Sequence, residues 1–176
     1  MMKTFIFLSL CLFFSYFAYG QAPSDETFNA AAPRGAEKLT KERFRSIVHR
    51  DYKRSVISEN HENIYQLDGL LISYWGLSVK PDYDKSLEAS QAEMLEILKI
   101  SPPKNIVDFS KIIVVNNIKF LVYQYHNEYD EFFLRFQSNF NKDHKNINGL
   151  IQFKKPDEEK AHAALQNLLR TIHFRD

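Results

Sequence analysis

The chain has 176 residues, a formal net charge of +1, 44% hydrophobic residues and a single cysteine. A chain of that size can bury enough apolar surface for one domain, and its near-neutral charge removes any global electrostatic case for nucleic acid. The five glycines are scattered, which excludes a phosphate-binding Walker loop or a dinucleotide fingerprint.

Met1 to Gly20 reads as a secretory signal segment. Lys3 supplies the positive start, Phe5 to Ala18 an apolar run, and Ala18-Tyr19-Gly20 the small residues before a cleavage site at Gln21. The run is shorter than the roughly 18 to 20 apolar residues that span a bilayer, and no later run is long enough. Cys11 lies inside it behind Leu10, where a lipid-attachment site would want a small residue. Removal of the segment takes away the only cysteine, and the loss of Lys3 brings the formal charge from +1 to zero. Disulfides, thiol nucleophiles and thiolate metal sites are thereby excluded from the mature chain. The expectation is an exported protein, periplasmic or secreted, with a flexible leader over 21–37 and a single domain over 38–176.

Within the domain, Phe44, Val48, Tyr52 and Val56 recur every four residues with Ile47 beside them, which predicts an amphipathic helix over 38–57. Lys38 to Arg54 holds seven basic residues in seventeen positions against two acids. Either this is a solvated face, or Arg43, Arg45, Arg50, Lys53 and Arg54 dock an anionic partner. A third account pairs the patch within the chain with the acidic turn of Glu128, Asp130 and Glu131.

Asp68-Gly69 between β-prone runs predicts a hairpin with Leu67, Leu70, Tyr65 and Ile72 on one face. Gln66 and Ser73 would mark a more polar face, as near a sheet edge. Leu87, Met94, Leu95 and Leu98 predict a helix over 85–100, capped by Asp84 or Ser86 and ended by Ser101-Pro102-Pro103. Lys111 to Val115 and Ile118 to Tyr125 flank Asn116-Asn117, two residues that tolerate the positive φ of a tight hairpin turn. Apolar side chains on both faces of this hairpin require layers above and below it.

Phe132, Leu134 and Phe136 alternate with Arg135 and Gln137, the pattern of a strand half-buried on one face. Asn146 to Gly149 reads as a turn into Leu150-Ile151-Gln152-Phe153. Pro156 then opens a last helix whose first turn carries Asp157, Glu158 and Glu159, and whose buried stripe is Ala161, Ala164, Leu165, Leu168 and Ile172. The whole predicts an α+β fold, an antiparallel β-sheet with helices on both faces.

Candidate chemistry is sparse. No G-x-S-x-G elbow occurs, and the six histidines show no H-x-x-x-H spacing. Two polar loops, one with His126, Glu128, Asp130 and Glu131 and one with Asn139 to Asn148, lie at opposite ends of one predicted strand. At about 3.3 Å per residue they stand too far apart to form one site. The second has too few carboxylates for calcium and reads as a solvated turn. Trp75, Tyr74, Tyr123, Tyr125 and Tyr129 read as aromatics packed in the core or at the sheet rim. No cofactor and no metal site is expected.

From Leu87 to Phe174, a helix is followed by four antiparallel strands, then Asn148-Gly149-Leu150-Ile151-Gln152-Phe153, then a helix ending Leu169-Arg170-Thr171-Ile172-His173-Phe174. This order and its I-x-F ending resemble the PsbP-like fold, which includes extrinsic photosystem subunits and small exported bacterial proteins. The basic leading helix is a departure from that pattern. The resemblance implies an assembly or binding module without an active site, and it transfers no site residue.

Three functions follow as expectations. The first is a non-enzymatic exported binding or accessory protein whose partner is another exported protein. The second is a binder of anionic lipid or polysaccharide through the basic helix, and the third a small hydrolase with an unrecognised Ser/His/Asp arrangement. The export reading has a direct check, since intact-mass spectrometry of the mature protein should place its first residue at Gln21. A membrane-integrated product that retains Met1 would sink it.

Overall fold

The computed structural model describes residues 28–83, 85–100 and 104–175. The signal segment, Asp84 and Ser101-Pro102-Pro103 lie outside the described residues. In chain order the elements are β1 (Phe28–Asn29), β2 (Glu37–Lys38), α1 (Lys41–Asp51), β3 (Asn63–Leu67) and β4 (Leu70–Ser78). Then come α2 (Leu87–Ile100), β5 (Asn105–Val115), β6 (Ile118–Asn127), β7 (Glu131–Ser138), β8 (Lys145–Lys154), α3 (Glu158–Thr171) and β9 (His173–Phe174). Seven strands form one antiparallel sheet in the order β2-β3-β4-β8-β7-β6-β5, and β1 pairs with β9 separately.

The two tight turns follow from their residues. Asn116 and Asn117 take φ of 51° and 62°, and they set Ile113 opposite Phe120, Ile112 opposite Leu121 and Val115 opposite Ile118. Asp68 and Gly69 take φ of 44° and 89°, so Leu67 meets Leu70 and Tyr65 meets Ile72. Both are left-handed positions where Asn, Asp and Gly cost least.

Helices cover both faces of the sheet. Ala161, Ala164, Leu165, Leu168 and Leu169 of α3 pack on Phe120, Val122, Leu134, Phe136, Ile151 and Phe153. On the opposite face, Phe44 and Ile47 of α1 and Leu87 and Leu98 of α2 pack with Leu71, Leu121, Tyr123, Tyr125, Phe133 and Leu150. Ser86 caps α2, its hydroxyl accepting from the Ala89 backbone N–H at 3.1 Å.

Several sequence expectations give way to tertiary constraints. The helix expected over 38–57 is shorter: Thr40 caps it by accepting from Arg43 N–H at 3.2 Å, and it stops at Tyr52, which is extended with φ −128° and ψ 148°. Tyr52 is buried, and its hydroxyl donates to the Gly69 carbonyl at 3.0 Å. Lys38 belongs instead to β2. Within the leader expected as flexible over 21–37, Phe28 is buried against the α3 core, where β1 pairs with β9.

The first hairpin lies near a sheet edge, as expected, with only the two-residue β2 outside β3. Its second face is not polar, because Leu71 and Ser73 on it are buried where β4 pairs with β8. Likewise β7 is buried on both faces, because Phe133 joins the α1–α2 side while Phe132, Leu134 and Phe136 join the α3 side.

Asn148-Gly149 is the clearest misreading. Gly149 lies in the middle of β8, opposite Tyr74 on one neighbour and Phe136 on the other, and the chain turns earlier, at Asn141 to His144. A Cβ at position 149 would sit 2.2 Å from Cε1 and Cζ of Phe136. The glycine is there because an aromatic ring lies across its backbone, a familiar reason for glycine inside a strand.

Gly149→Ala should therefore destabilise the fold by about 3 kcal/mol, the upper range for overpacking a rigid core. Urea denaturation of Gly149→Ala, Phe136→Leu and the double variant checks the cause. The double variant should be more stable than the sum of the single losses predicts, and strict additivity would mean that Phe136 is not what the methyl group meets.

Candidate functional site

The basic segment is exposed as expected: Arg43, Arg45, Arg50, Lys53 and Arg54 all face solvent. They do not form one patch. At 3.6 residues per turn Arg43 and Arg50 share one flank of α1, while Arg45 is rotated by roughly 160° onto the other. Arg45 forms a two-pronged pair with Glu59 at 2.6 and 2.8 Å, and Arg50 does so with Asp51 at 2.7 and 2.6 Å. Exposed pairs of this kind add little stability, but they occupy the guanidinium donors. The Glu59 and Asp51 carboxyls are correspondingly held below their ordinary range, chiefly by these hydrogen bonds.

The account that pairs this segment with the acidic turn is met in an unexpected way. Glu131, read from sequence as part of a polar loop, is fully buried at the start of β7. Its carboxylate accepts from the backbone N–H groups of Lys53 and Arg54 and from the Asn127 side chain, with the Lys154 ammonium 3.5 Å away. Gln152, also buried, donates to the Arg54 carbonyl at 2.6 Å and accepts from the Ser55 hydroxyl at 3.0 Å. The connection leaving α1 is thus fastened to the sheet through its backbone, and its Lys53 and Arg54 side chains point outward.

The other polar loop is built as a turn. Asn141 Oδ1 accepts from the backbone N–H groups of Asp143 and Lys145, each at 3.0 Å, and Asn139 Oδ1 accepts from that of Lys119. A third polar group ties β5 and β6 to the start of α3. Asp108 meets His126 Nδ1 at 2.9 Å, and Gln124 donates to both Asp108 and Glu158 at 3.0 and 2.8 Å. Among the described residues no set of three His, Asp or Glu side chains is placed to hold a metal ion.

The most concentrated chemistry lies in one row across the sheet, on the face that carries α1 and α2. Strand register aligns Ser73 of β4, Leu150 of β8, Arg135 of β7, Tyr123 of β6 and Ser110 of β5. His61, from the segment before β3, places Nδ1 2.8 Å from Ser73 Oγ. Its ring stacks on Trp75 at 4.2 Å between centroids. Tyr123 stacks on Tyr125, and Tyr125 on Phe133. Burial and the positive charge of Arg135 push the His61 imidazole down to about 4. Burial also works against the Arg135 charge, but the Tyr123 and Tyr125 phenols, and a hydrogen bond with Tyr123, outweigh it and leave the guanidinium pKa raised. Burial pushes the Tyr125 phenol up.

This row contains the serine and base that a hydrolase needs, in hydrogen-bond reach. The rest of the arrangement is different. The charge that acts on the imidazole is a guanidinium, whereas a triad supplies a carboxylate, so burial and Arg135 both disfavour the imidazolium that a general base must become. Ser73 itself is mid-strand and fully buried. Alternation alone pointed Arg135 at solvent. The legible warning was Phe133, an apolar residue on Arg135's own face of β7.

Of the aromatics singled out from sequence, Tyr74, Tyr123 and Tyr125 are core and Tyr129 is exposed. Trp75 is half-buried beside His61.

No protein-family model matches the chain, and no curated protein matches it. Solved structures do. The solution structure of cyanobacterial PsbP (CyanoP) from Synechocystis sp. PCC 6803 superposes with a TM-score of 0.51 at 9% identity, covering 90% of this chain and 99% of that one. A crystal structure of a Pseudomonas aeruginosa protein of unknown function superposes at 0.49 and 12% identity, covering 89% and 88%. The chain has the PsbP-like fold. No helix among the described residues is long and apolar enough to cross a membrane.

The lowered His61 pKa has a defined consequence for stability. Its folded value near 4 lies below the ordinary 6.5, so between them the unfolded chain binds more protons than the folded one. Stability from this group is full above about pH 6.5 and is lost as pH falls toward 4. Thermal midpoints measured from pH 7 to 4 should fall, and His61→Gln should flatten that fall. An unchanged slope in the variant would show that His61 titrates like a solvated imidazole.

Proposed function

We propose that the chain is an exported, non-enzymatic binding or accessory protein that docks another exported protein through the surface around α1. The observation that carries this reading is the fold, whose PsbP-like layout extends over nearly the whole of the cyanobacterial structure it superposes on. Export is supported by the signal-like residues Met1 to Gly20, and a periplasmic or secreted location goes with it. A non-catalytic role is supported by the burial of Ser73 and by the burial and Arg135 charge that disfavour the His61 imidazolium.

The choice of a protein over an anionic lipid or polysaccharide surface rests on geometry. A flat anionic surface gains about 1 kcal/mol for each Lys or Arg it touches at once. The cations of α1 are divided between two flanks, and Arg45 and Arg50 are already paired within the chain. Among the described residues Arg43 and Lys53 have no carboxylate partner, and these exposed cations are the ones a partner's acidic groups would meet.

Crosslinking and pull-down of the mature protein from its own compartment tests the reading, with Arg43→Glu/Lys53→Glu as the comparison. A partner captured by the parent should be captured about tenfold less by the variant, the loss of roughly 1.4 kcal/mol, at an unchanged thermal midpoint. Equal capture would place the docking surface elsewhere. Equal and salt-sensitive sedimentation of the parent with anionic vesicles, without any protein partner, would favour the lipid reading instead.

A further inference from the structure

We propose that the cleft between the β1–β9 ribbon and the first hairpin is a binding site for an aromatic carboxylate, with Arg175 as the group that holds the anion. The cleft has a volume of about 430 Å³, within the range of roughly 300 to 1,000 Å³ that small-molecule sites occupy. One wall is β1 with the two alanines that follow it, and the other belongs to β3 and β4. Thr171, the last residue of α3, and Arg175, just past β9, complete it. Pairing of Phe28 with Phe174 and of Asn29 with His173 fixes the first wall. Thr171 secures it further by accepting the Ala31 N–H at 3.1 Å.

The deep part of the cleft is aromatic. Phe28, Tyr65 and Tyr74 are buried, with Phe28 edge-on to Tyr74 at 6.2 Å between centroids and Tyr65 stacked on Tyr74 at 5.7 Å. The Tyr74 and Tyr65 hydroxyls lie 3.4 Å apart. Two hydroxyls carry two protons, and their mutual hydrogen bond uses one. The other has no acceptor among the described residues. A buried donor in that state is costly and calls for a water or a ligand. Thr171 has nothing left to offer, since its hydroxyl also donates to the Leu168 carbonyl at 2.8 Å. Arg175 is exposed and has donors to spare. A guanidinium carries five N–H groups in a flat fork, and Asn29 Oδ1 accepts only the Nε–H, at 2.8 Å.

This surplus of donors selects the ligand. Among the described residues Arg175 is the only charged side chain in the lining. Lys38 lies directly opposite Tyr65 in the ladder, which brings a second cation to the same face. The neighbouring acids do not offset them. Glu37 precedes Lys38 in β2 and points to the other face, and Glu62, beside Asn63, is already engaged within the chain. A free guanidinium fork and a free hydroxyl proton fit a ligand rich in acceptors. A carboxylate matches the fork with two parallel hydrogen bonds, and the three rings suit a flat apolar body. An oxygen on that body takes the tyrosine proton, so the class is that of a hydroxylated aromatic acid.

The mature protein is titrated by calorimetry with sodium 4-hydroxybenzoate, 4-hydroxybenzyl alcohol, tyramine and sodium acetate, at constant ionic strength in chloride. Thermal midpoints are measured alongside. Hydroxybenzoate should bind and raise the midpoint. The alcohol keeps the ring without the charge and should bind at least tenfold more weakly, as for a lost charge-assisted hydrogen bond. Tyramine reverses the charge, acetate lacks the ring, and neither should bind. Arg175→Gln, at an exposed position, should keep the parent's midpoint without ligand and lose at least tenfold in affinity for hydroxybenzoate. Tyr65→Phe/Tyr74→Phe removes both hydroxyls and keeps the rings. It should be at least as stable as the parent without ligand, and it should hold hydroxybenzoate no more tightly than the parent holds benzoate. The proposal is overturned if hydroxybenzoate does not bind the parent, if tyramine or acetate matches it, or if Arg175→Gln binds it undiminished. Should the double variant not fold, Arg175→Gln decides alone.

Discussion

The structure depends on the burial of β6, β7 and β8 on both faces. Phe120, Phe136 and Phe153 point to one side, Leu121, Phe133 and Leu150 to the other, and all six are almost completely shielded from water. Three adjacent strands of that kind are stable only between two apolar layers. One layer is α3, contiguous with β8. The other comes from α1 and α2, which flank the first hairpin in sequence. The ladder from Leu71–Gln152 to Ser78–Lys145 joins that hairpin to the later strands. Without it, α1 would have no sheet to cover.

Bringing a long connection across a buried sheet face imposes a second requirement. Residues 52–62 leave α1 without regular structure and pass over strands that offer them little water. Their backbone groups need partners, since an unpaired buried N–H or C=O costs about as much as a lost hydrogen bond. Glu131 and Gln152 supply those partners from neighbouring strands, and the Tyr52 hydroxyl reaches the Gly69 carbonyl. Buried polar side chains here act as fasteners for backbone.

The surface of α1 shows how far residue counts mislead about electrostatics. Seven cations close together in sequence suggest a field, but helical rotation separates them and neighbouring carboxylates at Asp51 and Glu59 neutralise two. What remains are single cations such as Arg43 and Lys53, exposed on separate parts of the surface. The surface sits on a PsbP-like fold, shared with a cyanobacterial protein at 9% identity and a TM-score of 0.51. At that distance, shared architecture reflects the packing of apolar faces, and side-chain chemistry is particular to each chain.

The sequence by itself determined what local physics controls. Asn116-Asn117 and Asp68-Gly69 set two hairpins and their registers because few residues accept positive φ. Apolar periodicity marked α2, α3 and the two-faced β6, and so the α+β sandwich, although β5, read the same way, is the edge strand. Only the tertiary structure decided the rest. The end of α1 at Asp51 is set by a carboxylate about eighty residues away, Glu131, which holds the backbone of Lys53 and Arg54. Gly149 looked like a turn because Asn-Gly favours one, yet it is needed where the Phe136 ring crosses the strand. Glu131 and Arg135 looked solvated because charge normally is, yet Glu131 is fully buried and Arg135 partly so, where a distant segment and two helices cover their face. Periodicity reports which way a side chain points along its own strand, and what covers that face is decided by elements far along the chain.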